Sequence, residues 1–380
     1  MKMEIKTSTL QEMVARAQRG ALYSGEMPDT TLLCITLADG KLTLSTTDRH
    51  NYLYVIENGI KGDDMYVAVD VAKFSKLIAR MTCDTIKIEL KKNGLIVTGN
   101  GKYTVPVILD GEGEMATMDN PMDNLPKGFA KKKKSYELNM LTVSSILNNL
   151  KPSIDLTGTS GDECYSGYYM ADSVIATNTR KVSKMDESVF DEARLLHHMT
   201  VTLLGVMMAE KITVDTFEDI VVFNTPDCVL YSTIMPEIED FAIDAIEEYF
   251  NTDFKSMCTI SKGALLHTLN RLMLFVSEVD LNLITLTFKK DGLQISSQAS
   301  DGIEILAYKD SKKPKDFTCT INVQTLFTQV KALDGEEVEI WYGNDNLIKI
   351  VDGNISHAIG LGADEVDEIE VVDDVDDLEE

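Results

Sequence analysis

An α+β fold built by internal repetition is what this sequence predicts, and three observations predict it. A pattern of strand, helix, strand, turn, strand, turn, strand recurs along the 380 residues. The helical stretches space their apolar residues by three and four, whereas the flanking stretches alternate apolar with polar. The turns between flanking stretches are short and rich in Gly, Asn and Asp, as antiparallel hairpins require. Six such half-units of about sixty residues would pair into three similar domains of ordinary size. The domains read as 1–125, 126–254 and 255–362, followed by an acidic disordered tail, 363–380, too polar to build a core.

In chain order, the first half-unit has a strand at 3–6, then a helix capped by Ser8 or Thr9 with Leu10, Met13, Val14 and Ala17 on one face. Strands at 31–36, 42–45 and 52–56 follow, with Ala38-Asp39-Gly40 as the first turn. The second has a strand at 66–69, and Asp70 caps a helix with Val71, Phe74, Leu77 and Ile78. Its three strands carry Ile86, Ile88 and Leu90, then Leu95 and Val97, then Tyr103, Val105 and Val107, with turns at Lys92-Asn93-Gly94 and Asn100-Gly101. Pro106 cannot donate to a ladder, so it belongs at a bulge or beyond the pairing edge. The third half-unit starts at Ser135, with a helix carrying Leu141, Val143, Ile146 and Leu150. The fourth starts near Leu195, with Leu203, Leu204, Val206 and Met207, then strands at 212–217, 220–223 and 228–234 around Thr225-Pro226-Asp227. The fifth starts at Cys258. Ser261 caps a helix with Leu265, Leu266, Leu269 and Leu272, and strands at 281–288, 293–297 and 303–308 are split by Lys290-Asp291-Gly292 and Ser300-Asp301-Gly302. The sixth has a strand at 317–321, Asn322 capping Val323, Leu326, Phe327 and Val330, and strands at 338–341, 347–350 and 355–359.

Hydrophobic content of 44% and charged content of 26% fit a soluble globular chain. No apolar run reaches the roughly 18 residues that span a bilayer, so no membrane partner is expected. Residues 1–16 carry charges throughout and do not read as a signal peptide. Cys34, Cys83, Cys164, Cys228, Cys258 and Cys319 are scattered singly, as buried thiols of a reducing cytosol would be.

The net charge of −26 argues, as a bulk property, against a surface that coats nucleic acid. The charge is uneven, however. The tail holds eleven acids and no base, and the remaining acids concentrate in strands, turns and linkers. The helical stretches are net positive, through Arg16, Arg19, Lys73, Lys76, Arg80, Lys151, Lys262, Arg271 and Lys331. If each helix covers one face of its sheet and the sheets join edge to edge around a curve, the helices face inward together. A second copy pairing the open edges would close a ring whose mildly basic inner wall meets a polyanion. Phosphate contacts of that kind are independent of sequence and permit sliding.

At this point the residues resemble a known family, the bacterial-type DNA sliding clamp or beta subunit of DNA polymerase III. The N-terminal strand followed by LADGKLTLSTTD (37–48) and alternating Tyr52, Tyr54 and Ile56 is similar to the family's first-domain hairpin. VIATNTRKVS (174–183) resembles its strand and loop ending in Thr-Asp-Gly-His-Arg-Leu, and LIKIVDGNISHAIGL (347–361) its last hairpin. The resemblance covers about residues 1–362, with the middle domain most diverged and the acidic tail without counterpart, as a phage-encoded or otherwise diverged member would be.

The resemblance implies α+β clamp domains with sheets outside and helices lining a ring. It implies a homodimer around double-stranded DNA that tethers a DNA polymerase and is placed by a clamp loader in the cytoplasm, with no catalytic site and no cofactor or metal. It implies DNA contacts from the nine basic residues named above. It implies a partner-peptide pocket of Thr177, Thr179, Arg180, Lys181, Val182, Ile238, Phe241, Ile359 and Leu361. Asn178-Thr179-Arg180 stands where the family has Asp-Gly-His, and Glu239 where it has proline. A dimer seam would use Lys73, Leu77, Tyr103 and Val105 on one side and Arg271, Leu274 and Phe275 on the other.

Motifs for catalysis are missing from the sequence. There is no GxxxxGK[ST] phosphate loop, and the acidic loop 110–123 lacks the order of a calcium-binding loop. Adjacent His197 and His198, read on a strand, would point to opposite faces and make a poor metal site. The run Lys131 to Lys134 after the linker 119–126 reads as a solvated boundary, with DNA contact as the sharper alternative. Two rival classes are an acidic enzyme with paired carboxylates and an acidic DNA-mimic or scaffolding protein that does not encircle DNA. The first lacks an acid in an apolar setting, and the second has no use for positive helices.

Overall fold

The computed structural model describes residues 1–22, 28–92, 94–123, 125–126, 128–297 and 302–362. Asn93, Ser300 and Asp301 of two expected turns, and the tail 363–380, lie outside the described residues. The fold is α+β, with antiparallel strands throughout and seven α-helices among the described residues. These are α1 (Thr7–Ala17), α2 (Val71–Ile78), α3 (Met140–Ser145), α4 (His198–Leu204), α5 (Ile243–Asn251), α6 (Lys262–Leu272) and α7 (Val323–Ala332).

Every one of these except α5 begins on the residue after a strand. The strand's last residue keeps an extended backbone and offers its side chain to the first turn, which is how a chain changes from period two to period 3.6 without a loop. Asp70 accepts from the Lys73 N–H at 2.7 Å, Ser261 from Ala264 at 3.4 Å and Asn322 from Thr325 at 3.0 Å, as the sequence predicts. Asn139 caps α3 and His197 caps α4 in the same way. The cap expected at Ser8 or Thr9 is corrected: α1 opens at Thr7, and Lys6 holds the cap position without a side-chain acceptor. The Thr7 N–H is satisfied by the Asp84 carbonyl at 3.0 Å.

The chain divides into two compact units. The first comprises Met1–Asn178 and Lys184–Ala242, and the second Thr179–Ser183 together with Ile243 onward. In the first unit a five-stranded sheet runs in the order Lys61–Gly62, Lys2–Lys6, Thr85–Lys91, Gly94–Thr98, Lys102–Val105. An eight-stranded sheet runs Lys134–Asn139, Lys211–Thr216, Ile220–Thr225, Cys228–Thr233, Asn51–Asn58, Lys41–Thr47, Leu32–Ala38, Met65–Asp70. The pairing of Cys228–Thr233 with Asn51–Asn58, Leu230 opposite Leu53, fuses strands of the first two expected domains into one sheet. The strands Arg194–His197, Gly167–Met170 and Val174–Thr177 pair beside it in the same unit.

In the second unit, Ile355–Gly360, Leu347–Asp352, Glu337–Tyr342, Ser256–Ser261 and Asp310–Lys312 pair in that order, and Ile303–Ala307, Gly292–Ser297, Leu283–Lys289 and Phe317–Asn322 form a four-stranded sheet. One rule governs both units. The opening strand of each half-unit has its longest ladder with a strand of the other half-unit, beyond the short pairings of Lys2–Lys6 with Lys61–Gly62 and of Ser256–Ser261 with Asp310–Lys312: Lys2–Lys6 with Thr85–Lys91, Met65–Asp70 with Leu32–Ala38, Ser256–Ser261 with Glu337–Tyr342, Phe317–Asn322 with Leu283–Lys289. The half-units are interlocked.

Helix packing follows the predicted faces. Leu10, Met13, Val14 and Ala17 of α1, Val71, Phe74 and Ile78 of α2, Leu265, Leu269 and Leu272 of α6, and Val323, Leu326 and Val330 of α7 are all buried. Gln11 of α1 donates to the Ile78 and Met81 carbonyls at 3.0 and 2.9 Å, satisfying the C-terminal end of α2. Three expectations are corrected. Leu141, assigned to the buried face of α3, is 74% exposed. The strand expected from Leu281 starts at Leu283, because Leu281 and Asn282 both take left-handed backbone at φ 55° and 52°. The strand expected through Val107 ends at Val105, leaving Pro106 outside the ladder.

Candidate functional site

A groove of about 350 Å³ lies wholly within the second unit. One wall is the segment Thr179, Arg180 and Val182. The other is the end of the last strand, Ala358 to Gly360, continued by Leu361 and Gly362, with Leu347 beside it. Tyr249 of α5 and Asn346 complete the lining. The walls are pinned by backbone bonds: Gly360 N–H donates to the Arg180 carbonyl at 3.1 Å, Leu361 N–H to Asn346 at 2.8 Å and Gly362 N–H to Thr320 at 2.9 Å. Thr179 sits at φ 71°, left-handed backbone that a β-branched residue rarely adopts. An apolar floor with a few polar groups and one exposed guanidinium on the lip suits an extended peptide with apolar side chains and an acidic neighbour.

Beneath the groove, on the same strand, His357 is fully buried. Its Nδ1 and the Ser183 hydroxyl lie 2.7 Å apart, and Ser183 donates to Gln329 at 3.3 Å. Burial, helped by the nearby Lys181 charge, pushes the imidazole down to about 3, so it is neutral at ordinary pH.

Of the residues named for the pocket, the structure brings Thr179, Arg180, Val182, Ile359 and Leu361 together. Lys181 is half-buried beside them in the chain. Thr177, Ile238 and Phe241 belong to the first unit. There Phe241 is buried, stacked on Tyr169 with ring centroids 5.3 Å apart, and Ile238 is half-buried in the turn Pro236–Asp240. Sequence reasoning missed Tyr249, Asn346 and Leu347. The signal for Tyr249 was present, since Ile243, Ile246 and Phe250 have helical spacing.

The basic residues divide. In the first unit Arg19, Lys73, Lys76, Arg80 and Lys151 are exposed, on or just beyond α1, α2 and α3. Arg16 is only 8% exposed, and its guanidinium is committed to Asp227 at 2.6 Å and to the Val206 carbonyl at 3.2 Å. In the second unit Lys331 is exposed over the Phe327 ring, Lys262 is half-buried and bonds the Leu333 carbonyl, and Arg271 grips Glu304 with two bonds of 2.7 and 2.6 Å. The lysine run is locally offset: Lys132, Lys133 and Lys134 pair with Asp215, Glu218 and Asp191.

The seam residues occupy sheet edges and a helix end. Lys102–Val105 is an edge of the five-stranded sheet, with Tyr103 40% exposed and Val105 buried; Lys73 and Leu77 lie on α2 of the same unit. Ile303–Ala307 is an edge of the four-stranded sheet, with Leu274 and Phe275 exposed on the turn after α6.

The histidine reading is corrected in its geometry. His197 ends a strand and His198 starts α4, so their rings lie 4.2 Å apart, and His50 stacks on His197 at 5.2 Å. His197 Nδ1 accepts from the Met199 N–H, and His198 Nδ1 bonds the Ser166 carbonyl, so backbone occupies these nitrogens. Among the described residues no group of His, Cys, Asp and Glu is arranged to hold a metal, and no helix is long and apolar enough to cross a membrane.

No family model matches this chain, and no curated protein matches it in sequence. Solved structures do. A protein from Eubacterium rectale described as a DNA polymerase III beta subunit superimposes with a TM-score of 0.80 at 16% identity, covering 95% of this chain and 99% of that one. The DNA polymerase III beta subunit from Thermotoga maritima gives 0.79 at 13%, covering 95% and 98%. The DNA polymerase sliding clamp from Bacillus subtilis gives 0.79 at 14%, covering 96% and 99%. The fold of this chain is therefore that of the DNA polymerase III beta sliding clamps, over nearly its whole length.

Proposed function

We propose that this chain is a DNA polymerase processivity factor: a homodimeric sliding clamp, with three domains per protomer, that encircles duplex DNA in the cytoplasm and does no chemistry of its own. The observation that carries this reading is the full-length likeness to solved clamps, with no large part of either chain left over. Exposed cations on helices of an otherwise acidic chain support a DNA-facing inner wall, drawn from Arg19, Lys73, Lys76, Arg80, Lys151 and Lys331. Two of the edge strands, Lys102–Val105 and Ile303–Ala307, support a seam made by strand addition between copies, with Tyr103, Leu274, Phe275 and the exposed Ile303 and Ile305 packed across it. The groove supports docking of a polymerase or loader peptide, which would convert diffusion away from the primer end into rebinding at high local concentration.

Solution mass and retention on DNA test this together. A mass of about twice 42.2 kDa, with loader-dependent retention on nicked circles and loss on linearisation, is the expected result. A monomer that is neither retained on circles nor stimulatory for a polymerase would overturn it and favour the acidic DNA-mimic or scaffold.

A further inference from the structure

The groove wall is also where the chain leaves the described structure. Leu361 and Gly362 line the groove, both N–H groups are anchored, and Gly362 turns the chain at φ 99°. The sequence that follows, 363–380, carries eleven acids and no base, with Val366, Ile369, Val371, Val372, Val375 and Leu378 interleaved. That is the chemistry the groove suits: apolar side chains for its floor and acids for exposed Arg180 on its lip. Acids at Glu247 and Glu248 flank Tyr249 on α5, which favours placing the tail's acids on the Arg180 side.

Reach is not a constraint. Ile369 stands seven residues beyond Gly362, enough to span up to about 25 Å when extended. A segment tethered this closely acts at an effective concentration on the order of millimolar, so even a weak intrinsic affinity gives substantial occupancy.

We propose that residues 363–380 dock in this groove in cis and compete with the peptides of other proteins for it. The idea rests on the groove being a peptide site, and it adds a built-in competitor that only a better-fitting partner displaces. For an intrinsic dissociation constant of a few hundred micromolar, such self-occupancy would weaken an external peptide about three- to tenfold.

The test uses the full chain. A photo-crosslinking benzoylphenylalanine at position 375 should join fragments containing Arg180 to Val182 or Asn346 to Leu361; crosslinks confined to other surfaces would overturn the proposal. A fluorescein-labelled peptide of residues 363–380, added in trans, should bind the full-length variant Val371→Ser, Val372→Ser, Val375→Ser, Leu378→Ser about three- to tenfold more tightly than wild type. It should lose that binding when Arg180→Glu and Tyr249→Ala are added. Equal binding to wild type and variant, or none to either, would also overturn it. Polymerase stimulation on primed circles separates the two readings. Loss of stimulation in Arg180→Glu, Tyr249→Ala, when the tail peptide binds neither wild type nor the four-serine variant, sinks the tail and keeps the groove. Normal stimulation in that variant, with position 375 crosslinked to the groove, keeps the tail and sinks the groove's role for polymerase.

Discussion

Thr179 and His357 show how much of the groove is set by single residues. A threonine at φ 71° stores strain that glycine would not, on the order of 1–3 kcal/mol less the extra chain entropy of glycine. Thr179→Gly should therefore stabilise the protein by about 1 kcal/mol in urea titration; no gain would mean that the hydroxyl makes up the strain. His357 predicts a pH effect. Its folded pKa, about 3, lies below the ordinary value near 6.5. The unfolded chain thus binds the proton first, and the stability contribution is full above pH 6.5 and lost as pH falls toward 3. The folding constant should drop by up to about tenfold per pH unit in that window from this group alone. His357→Asn should remove one proton from the slope, measured as midpoint shifts between pH 7 and 4.5. His197, also pushed down to about 3 by burial and its histidine neighbours, adds a slope of the same sign.

At the scale of elements, the strand-to-helix junctions were legible where an Asp, Ser or Asn ended the strand. Asp70, Ser261 and Asn322 are caps whose carboxylate, hydroxyl or amide oxygen the sequence displays. Lys6 gave no such signal, and a histidine cap is uncommon enough that His197 read as something else. Asn322→Ala should cost about 1 kcal/mol of stability. Arg16 illustrates the opposite limit. As a cation on a basic helix it reads as a DNA contact, but its burial against Asp227 fixes α1 to the turn after Ile220–Thr225. Asp227→Ala should destabilise the chain by about 2–3 kcal/mol, since a mostly buried guanidinium loses its counter-charge. DNA retention of the folded variant should be unchanged, and reduced retention would return Arg16's neighbourhood to the DNA face. The amphipathic helix α5 went unread because it falls where a repeat-based parse expects a linker.

For the whole molecule, the α+β class was readable from periodicity, but the interlocking was not. Periodicity assigns each strand to its segment, whereas pairing partners are decided by edges that only the folded pair presents. Ser256–Ser261 has its full-length ladder with Glu337–Tyr342, some eighty residues on, so an isolated half-unit keeps only the short pairing of this strand with Asp310–Lys312. Residues 255–316 alone should be unfolded by circular dichroism, whereas 243–362 should show a cooperative transition; a folded 255–316 fragment would contradict the exchanged pairing. The fusion of Cys228–Thr233 with Asn51–Asn58 was expected only as edge-to-edge joining in general. Its register is set by the side chains that the folded edges bring opposite each other, such as Leu230 and Leu53.

The edge strand Ile303–Ala307 has one more consequence, for handling the protein in a tube. Ile303 and Ile305 are 55% and 70% exposed on an unpaired ladder, an aggregation-prone arrangement. Between them stands Glu304, clasped by Arg271 and held below the usual carboxylate range by it, so the gatekeeper keeps its charge into mild acid. The wider colloidal protection comes from the excess of acids, and it fades toward the isoelectric point near 4.5. Acid precipitation of dilute protomers should therefore nucleate at this strand, and Ile305→Lys should delay it in light scattering without altering the fold.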